Sequence, residues 1–515
     1  MDYTGSVSTA LSQLKESVSS TPGAPCRWQA FVWIATATAT GAIVMAMELT
    51  AFRLYAPYFG NSIYVWGSMI SVVMLALAMG YSLGGWTADR ATTDTVLYLG
   101  VFGSGIYQLV IVFVMRPVLL KMWHWGDFAG TVGATAIIFV PPMTALAMTS
   151  PFVIRLLARA GHVGIAVGSV FALSTAGSIA GVLATSFWLV PRFGTRTTME
   201  ILCVASILIG AAGLAVRTKK AVLLVFAVGL LPLAKAPAPP PTIIWSGESV
   251  YNRILVRETN GLRWLVLNDP RYSQTTEKIG SATSGFYLDQ FALGPVISPA
   301  TKLLVLGMGA GGSIQVTWGV KPQVVVDAVE IDPEVVRVAQ DFFALPKSDP
   351  RLHVHIADAR PWLESQHTKW DLVHVDLFQG GPYVPFYLTT VEFFELVHSR
   401  MTDDGLLMVN VLDKGKSEEL LAAMGATLQR VFPSVEELST EKGNYILFAF
   451  PQKRAVSETI AQLQSSDGPE WLKLLARNAA GHLTEFAPHE GATIFTDDKA
   501  PVEEMTRRML SETNE

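Results

Sequence analysis

Cysteine is nearly missing from this 515-residue chain: Cys26 and Cys203 are the only two, far apart and each near or inside an apolar segment. That pattern excludes a disulfide framework and leaves no cysteine-based metal-ligand spacing. Charge is also scarce. Asp, Glu, Lys and Arg make up 16% of residues against 50% hydrophobic, and mean hydropathy is +0.37. Those proportions are too apolar for an average soluble enzyme. A basic excess is lacking as well, the formal net charge being −5, so nothing suggests a nucleic-acid partner. The tail at 1–28 opens "MDYTGSVSTALSQLKESVSS", with no basic start followed by an apolar run. It does not read as a cleaved signal peptide.

What the chain has in abundance is long uncharged apolar runs before about residue 216. A helix needs roughly 20 apolar residues to cross the hydrocarbon core. The runs at 29–51, 66–88, 95–115, 131–153, 163–190 and 197–216 are candidate spans. Small residues crowd "MGYSLGG" and "GSIAGVLATS", which predicts close helix packing. A seventh run, 221–234, is at the short edge of the spanning range, so the bundle at 29–235 has six or seven spans. Lys15, Arg27, Arg90, Arg155, Arg159, Arg217, Lys219 and Lys220 would share one side of the bilayer; Arg53, Arg116, Lys121, Arg192 and Arg196 would share the other. The excess places the N-terminus in the cytoplasm. Six spans then leave the C-terminal half cytoplasmic, and seven would export it unless the N-terminus is outside. The expectation is a multi-pass protein of the cell (inner) membrane with a cytoplasmic C-terminal domain. Glu48 and Arg53, at the end of the first span, are expected to pair at the interface or to mark a functional site. "PPM" at 141–143 predicts a break in the fourth run, and "APAPPPT" at 236–242 a stiff linker.

From 243 the pattern changes. "NRILVRE" and "RWLVLND" read as a hairpin around "TNG", in a small β unit at about 243–275. Strands then alternate with helical stretches over about 300–450, followed by a helical tail. "KLLVLGMG" is a continuous apolar strand, as in a parallel sheet covered on both faces. The expected fold is a helical membrane bundle followed by a doubly wound, Rossmann-like α/β domain of methyltransferase type. Gly307, Gly309, Gly311 and Gly312 follow that strand directly and precede a helix. Glu330 ends the next strand roughly 20 residues on, the spacing at which a carboxylate takes ribose hydroxyls. Loop and acid together point to an adenosine-type ligand, which both NAD and S-adenosylmethionine-type compounds satisfy. "ADA" at 357–359 and Asp376 after the fourth strand favour the second class. His374 sits two residues from Asp376, but pointing elsewhere is expected of it; His353 and His355 read as a solvated strand edge.

These residues resemble the spermidine synthases, the polyamine aminopropyltransferases, over about 245–450. The whole chain is similar to their membrane-anchored branch, through "MELTAFRLYAPYFGNSIYVWGSMISVVMLALAMGYSLGGWTADR" and "TDDKAPVE" at 496–503. The resemblance implies transfer of an aminopropyl group from decarboxylated S-adenosylmethionine, as co-substrate, to putrescine or a related diamine, giving spermidine and methylthioadenosine. It implies no required cofactor and no metal. By motif it makes Asp376 the catalytic Asp. It places Asn252, Gln274, Gly307, Gly309, Gly311, Glu330, Asp358, Ala359 and Pro382 around the donor, and suggests a homodimer through the C-terminal half. Ala310, Gln379 and Gly380 replace residues the family usually uses, and "FYLD" at 286–289 stands for its Tyr-His-Glu. The donor side is kept and the acceptor side altered. Three readings follow: an aminopropyltransferase, a transferase using intact S-adenosylmethionine on another acceptor, or a non-catalytic polyamine sensor or transporter. "TDDK" at 496–499 is a candidate N-cap for the last helix, or a part of the site mouth.

Overall fold

The computed structural model describes residues 26–59, 62–91, 93–160, 163–218, 240–440, 443–487 and 491–513. The run at 221–234 and most of the tail and linker lie outside them. The chain forms two compact units, Met1–Ala238 and Pro239–Glu515.

The first unit is helical: α1 (Arg27–Phe59), α2 (Ile63–Arg90), α3 (Thr95–Trp123), α4 (Asp127–Ile138), α5 (Val140–Ala147), α6 (Thr149–Leu157), α7 (Val163–Ala184) and α8 (Val190–Thr218). Among the described residues, five stretches are long and apolar enough to cross a membrane: Arg27–Ala56, Ile63–Arg90, Thr95–Trp123, Val140–Leu157 and Val163–Val216. The last, 54 residues long, takes in two of the expected runs. A π turn, Thr185–Leu189, joins α7 to α8, and Gly194 at φ 80° and ψ 167° turns the chain inside α8. The fourth expected run, 131–153, is broken next to "PPM" into parts of three short helices, parted at Phe139 and Met148. Pro141 and Pro142 lack N–H groups and fit only the first turn of α5, where those donors have no helical acceptor. Close packing holds as expected. A Cβ on Gly177 or Gly181 would overlap the backbone of Thr38 or Ala42, and one on Gly84 would stand 2.7 Å from Met148 Cα. Glu48 and Arg53 both lie in the C-terminal half of α1, which runs on to Phe59.

The second unit begins with an antiparallel sheet, β1 (Ile243–Glu248), β2 (Arg253–Thr259), β3 (Leu262–Leu267) and β4 (Thr275–Lys278). Asn260 and Gly261, both at positive φ (53° and 74°), make the two-residue turn that such a hairpin requires. A 3₁₀ segment, Tyr287–Leu293, leads to β5 (Lys302–Leu306), α9 (Gly312–Val320), β6 (Val325–Glu330), α10 (Pro333–Phe342), β7 (Leu352–Ile356), α11 (Ala359–Glu364), β8 (Trp370–Val375) and α12 (Val391–Ser399). Then come β9 (Met401–Leu412), α13 (Glu419–Gln429), β10 (Ser434–Ser439), β11 (Asn444–Phe450), α14 (Val456–Gln464), α15 (Glu470–His482), β12 (Leu483–Glu485) and α16 (Val502–Thr513). The sheet order is β7-β6-β5-β8-β9-β11-β10-β12. The first five strands are parallel and the last three pair antiparallel.

Alternate residues of β5 serve two cores: Leu303 and Val305 join one, Leu304 and Leu306 the other. The strand is thus buried on both faces, which is why it reads as an unbroken apolar run. The order reverses between β5 and β8, and the crevice beyond their C-terminal ends is where such sheets bind ligands.

Candidate active site

The Gly-rich loop lies at that reversal. Gly307 N–H donates to Val329 O at 3.1 Å, and Asp376 N–H to Leu306 O at 3.0 Å, so loop and acid are tied to neighbouring strand ends. Gly307 has φ 83°, and a Cβ there would overlap the Asp376 carbonyl oxygen; only glycine fits. Gly311, at φ 81°, is the N-cap of α9, and the first N–H groups of that helix have no intrahelical acceptor. Ala310 is buried, its N–H donated to Thr275 Oγ1 at 3.1 Å.

Glu330 closes β6 beside the loop. Its carboxylate accepts the N–H of Gly309 and of Asp332, each at 3.1 Å. Loss of water pushes its carboxyl up to about 7, with those backbone donors opposing the rise. Asp358 caps α11, accepting Arg360 N–H at 3.1 Å, while its other oxygen accepts the Tyr387 hydroxyl at 2.8 Å. Ala359, next along, is buried.

Asp376 is held from two sides. Tyr287 Oη donates to Oδ2 at 3.0 Å and Asn410 Nδ2 to Oδ1 at 2.8 Å. Burial pushes its carboxyl up to about 6 against those two bonds. The same burial, with Asp376 beside it, holds the Tyr287 phenol well above its usual range, so it stays a donor. Asn410 in turn accepts Asn444 Nδ2 at 2.9 Å. Gln274 Nε2 reaches Gly381 O at 3.3 Å, in the loop that carries buried Pro382.

The structure thus gathers Gly307, Gly309, Gly311, Glu330 and Asp376 at one crevice, with Asp358 and Ala359 following the neighbouring strand. Asn252 is engaged differently. Its amide donates to Asp332 Oδ2 at 2.9 Å and accepts Asn268 Nδ2 at 2.9 Å, which ties the hairpin to the turn after Glu330. Of "FYLD", Tyr287 reaches the site, while buried Asp289 accepts the N–H groups of Ser284 and Gly285. His374 is buried, its ring 4.5 Å from Phe291, and burial holds it down to about 3. His355 and His353 flank Asp327, at 2.9 and 3.7 Å; they are partnered rather than merely solvated. "TDDK" does not cap the last helix, which starts at Val502; Asp497 instead pairs with Arg360. Sequence reading missed Thr275 and Asn410. A lone amide inside the apolar strand "GLLMVNVL" was the available signal for the second.

Residues 296–446 match the family described as Spermine/spermidine synthase domain. A "Probable polyamine aminopropyl transferase" of Bifidobacterium longum (strain NCC 2705) is 28% identical over 279 residues, covering 51% of this chain and 61% of that protein. "Polyamine aminopropyltransferase 1" of Streptomyces coelicolor is 24% identical over 407 residues, covering 71% of this chain and 72% of that one. The "eEF1A lysine and N-terminal methyltransferase" of Homo sapiens is 30% identical over 180 residues, covering 32% of this chain and 25% of that protein. The chain therefore spans about three fifths of the Bifidobacterium relative's length.

Proposed function

We propose, from the spermine/spermidine synthase domain that the C-terminal half carries, that this protein is an aminopropyltransferase. It would move the aminopropyl group of decarboxylated S-adenosylmethionine to an amine, with putrescine the expected acceptor, and release methylthioadenosine. The observation that supports this most is Asp376, a carboxylate held by two side chains at the mouth of an adenosine-type crevice. In this reading Glu330 takes the ribose hydroxyls, Asp358 and the Ala359 N–H take the adenine edge, and Gly307, Gly309 and Gly311 let the donor approach the backbone. Gln274 and Pro382 line the crevice, and Asn252 fixes the turn behind Glu330. The N-terminal helices would anchor the enzyme in the cell membrane, with this half in the cytoplasm.

The chemistry follows from charge. An alkylammonium pKa is about 10.4, so the acceptor arrives protonated. Ionised Asp376 attracts it and takes one proton. The freed nitrogen lone pair attacks the propyl carbon next to the sulfonium. The new C–N bond forms as the C–S bond breaks, its electron pair goes to sulfur, and a neutral thioether leaves. Tyr287 and Asn410 hold opposite oxygens of Asp376, so its aim is fixed before the amine arrives. A carboxyl near 6 is mostly ionised at neutral pH, yet a better proton acceptor than an ordinary Asp.

One observation favours a second reading, methyl transfer from intact S-adenosylmethionine. Position 310 carries Ala, so the loop presents no acid to a donor's amino group or against its carboxylate, and a methyltransferase is among the relatives. Detergent-purified protein, given each donor with putrescine and followed by mass spectrometry, separates the two. Methylthioadenosine from the decarboxylated donor supports the first. S-adenosylhomocysteine from the intact donor supports the second, and no methylthioadenosine from the decarboxylated donor would overturn the first.

A further inference from the structure

We infer that the C-terminal segment at 495–499 is part of the frame of the nucleoside pocket, with Asp497 a positioning residue for adenine recognition; this rests on the nucleoside reading above. The segment is bolted down before it reaches the pocket. Phe495 is fully buried, its N–H donates to Thr427 Oγ1 at 2.9 Å, and its carbonyl accepts Val391 N–H at 2.9 Å. Two residues later the Asp497 carboxylate grips Arg360 with both oxygens, at 2.7 and 2.6 Å, and also accepts the Thr390 hydroxyl at 2.7 Å.

Arg360 passes that constraint on by two routes. Its backbone N–H donates to Asp358 Oδ1, and its Nη1 donates to the Tyr387 carbonyl at 2.9 Å. Tyr387 then turns its hydroxyl onto Asp358 Oδ2. Burial and the Asp358 charge hold that phenol protonated, so it remains a donor. Asp358 is therefore fixed at both oxygens by residues that Asp497 orients. The forked pairing matters, because a planar guanidinium held by two oxygens cannot swivel.

A bland account is available: Asp497 is 44% exposed at its side chain, and such ion pairs contribute little to stability. That weakness separates the two accounts. A merely structural pair would shift melting slightly and leave ligand affinity alone, whereas a positioning pair would move affinity more than melting.

The test uses full-length protein in detergent, titrated with methylthioadenosine, with donor and amine kinetics alongside. Asp497→Asn and Tyr387→Phe should each raise Kd about tenfold, which is about 1.4 kcal/mol. The donor KM should rise in step and the amine KM stay put. The double variant should be no weaker than the worse single one, since both act through Asp358. Should Asp497→Asn fail to fold, Tyr387→Phe, which removes one oxygen, carries the test. Unchanged Kd in the variants, or a double variant whose losses multiply, overturns the inference. A wild-type protein that binds no methylthioadenosine instead overturns the nucleoside reading beneath it.

Discussion

Glu330 gives a test of the crevice that needs no turnover, because burial sets its charge. Its carboxyl stands at about 7, raised from 4.5 chiefly by burial. Ribose hydroxyls donate hydrogen bonds, and donated hydrogen bonds favour the ionised carboxylate. Binding a nucleoside should therefore pull this pKa down and expel a proton whenever Glu330 starts protonated. If only the ionised form binds, apparent affinity is divided by one plus ten to the power (pKa − pH), which is about 11 at pH 6 and about 1.1 at pH 8. The Kd of methylthioadenosine should thus rise about tenfold from pH 8 to pH 6, a loss of about 1.4 kcal/mol. Titration calorimetry in two buffers of different ionisation enthalpy counts the protons: about 0.9 released at pH 6 and about 0.1 at pH 8. Glu330→Gln should bind more weakly, with a flat pH profile. Affinity that is level across this range, with no proton released, would refute the placement of ribose at Glu330.

Tyr287→Phe removes a hydrogen bond that holds the Asp376 carboxyl down. The acid limb of kcat/KM should move to higher pH, so that activity falls more at pH 7 than at pH 9. Gly307→Ala must bear a left-handed backbone, about 1–2 kcal/mol by itself, and an overlap with the Asp376 carbonyl. Nucleoside binding should be lost and thermal unfolding should come earlier, with Gly309→Ala, whose Cβ would meet Thr275 Oγ1 at 3.0 Å, milder. Glu436 on β10 is 2% exposed and pushed up to about 7 by burial. A raised folded pKa means the folded state binds the extra proton. Folding free energy is therefore lost as pH rises from about 4.5 to 7, by up to about 3 kcal/mol. Glu436→Gln should melt higher than wild type above pH 7, with the gap closing near pH 4.5.

The parts of this protein that show in its sequence are those with local causes. β5 is buried on both faces, so it appears as an unbroken apolar run. The Gly-rich loop and Glu330 appear because a tight turn and a strand end leave marks at fixed spacing. β10 escaped notice because "SVEELS" mixes Val and Leu with acids, and β12 is three residues long. Tyr287 and Asn410 reach Asp376 across 89 and 34 residues, contacts that no local pattern encodes. Asp497 reaches Arg360 across 137, so its local appearance as a cap was misleading. In the helical unit, hydropathy located the apolar runs, and Gly194 turns the chain between those at 163–190 and 197–216, beside the charged Arg192 and Arg196.

The central claim is that Asp376 takes the acceptor's proton during aminopropyl transfer. The most direct measurement is methylthioadenosine release from decarboxylated S-adenosylmethionine and putrescine, by wild type and by Asp376→Asn, with methylthioadenosine affinity measured on both. The account predicts that the variant keeps its nucleoside affinity while release falls by about 10²–10⁴-fold, the range for losing a general base. Release undiminished in Asp376→Asn would contradict it.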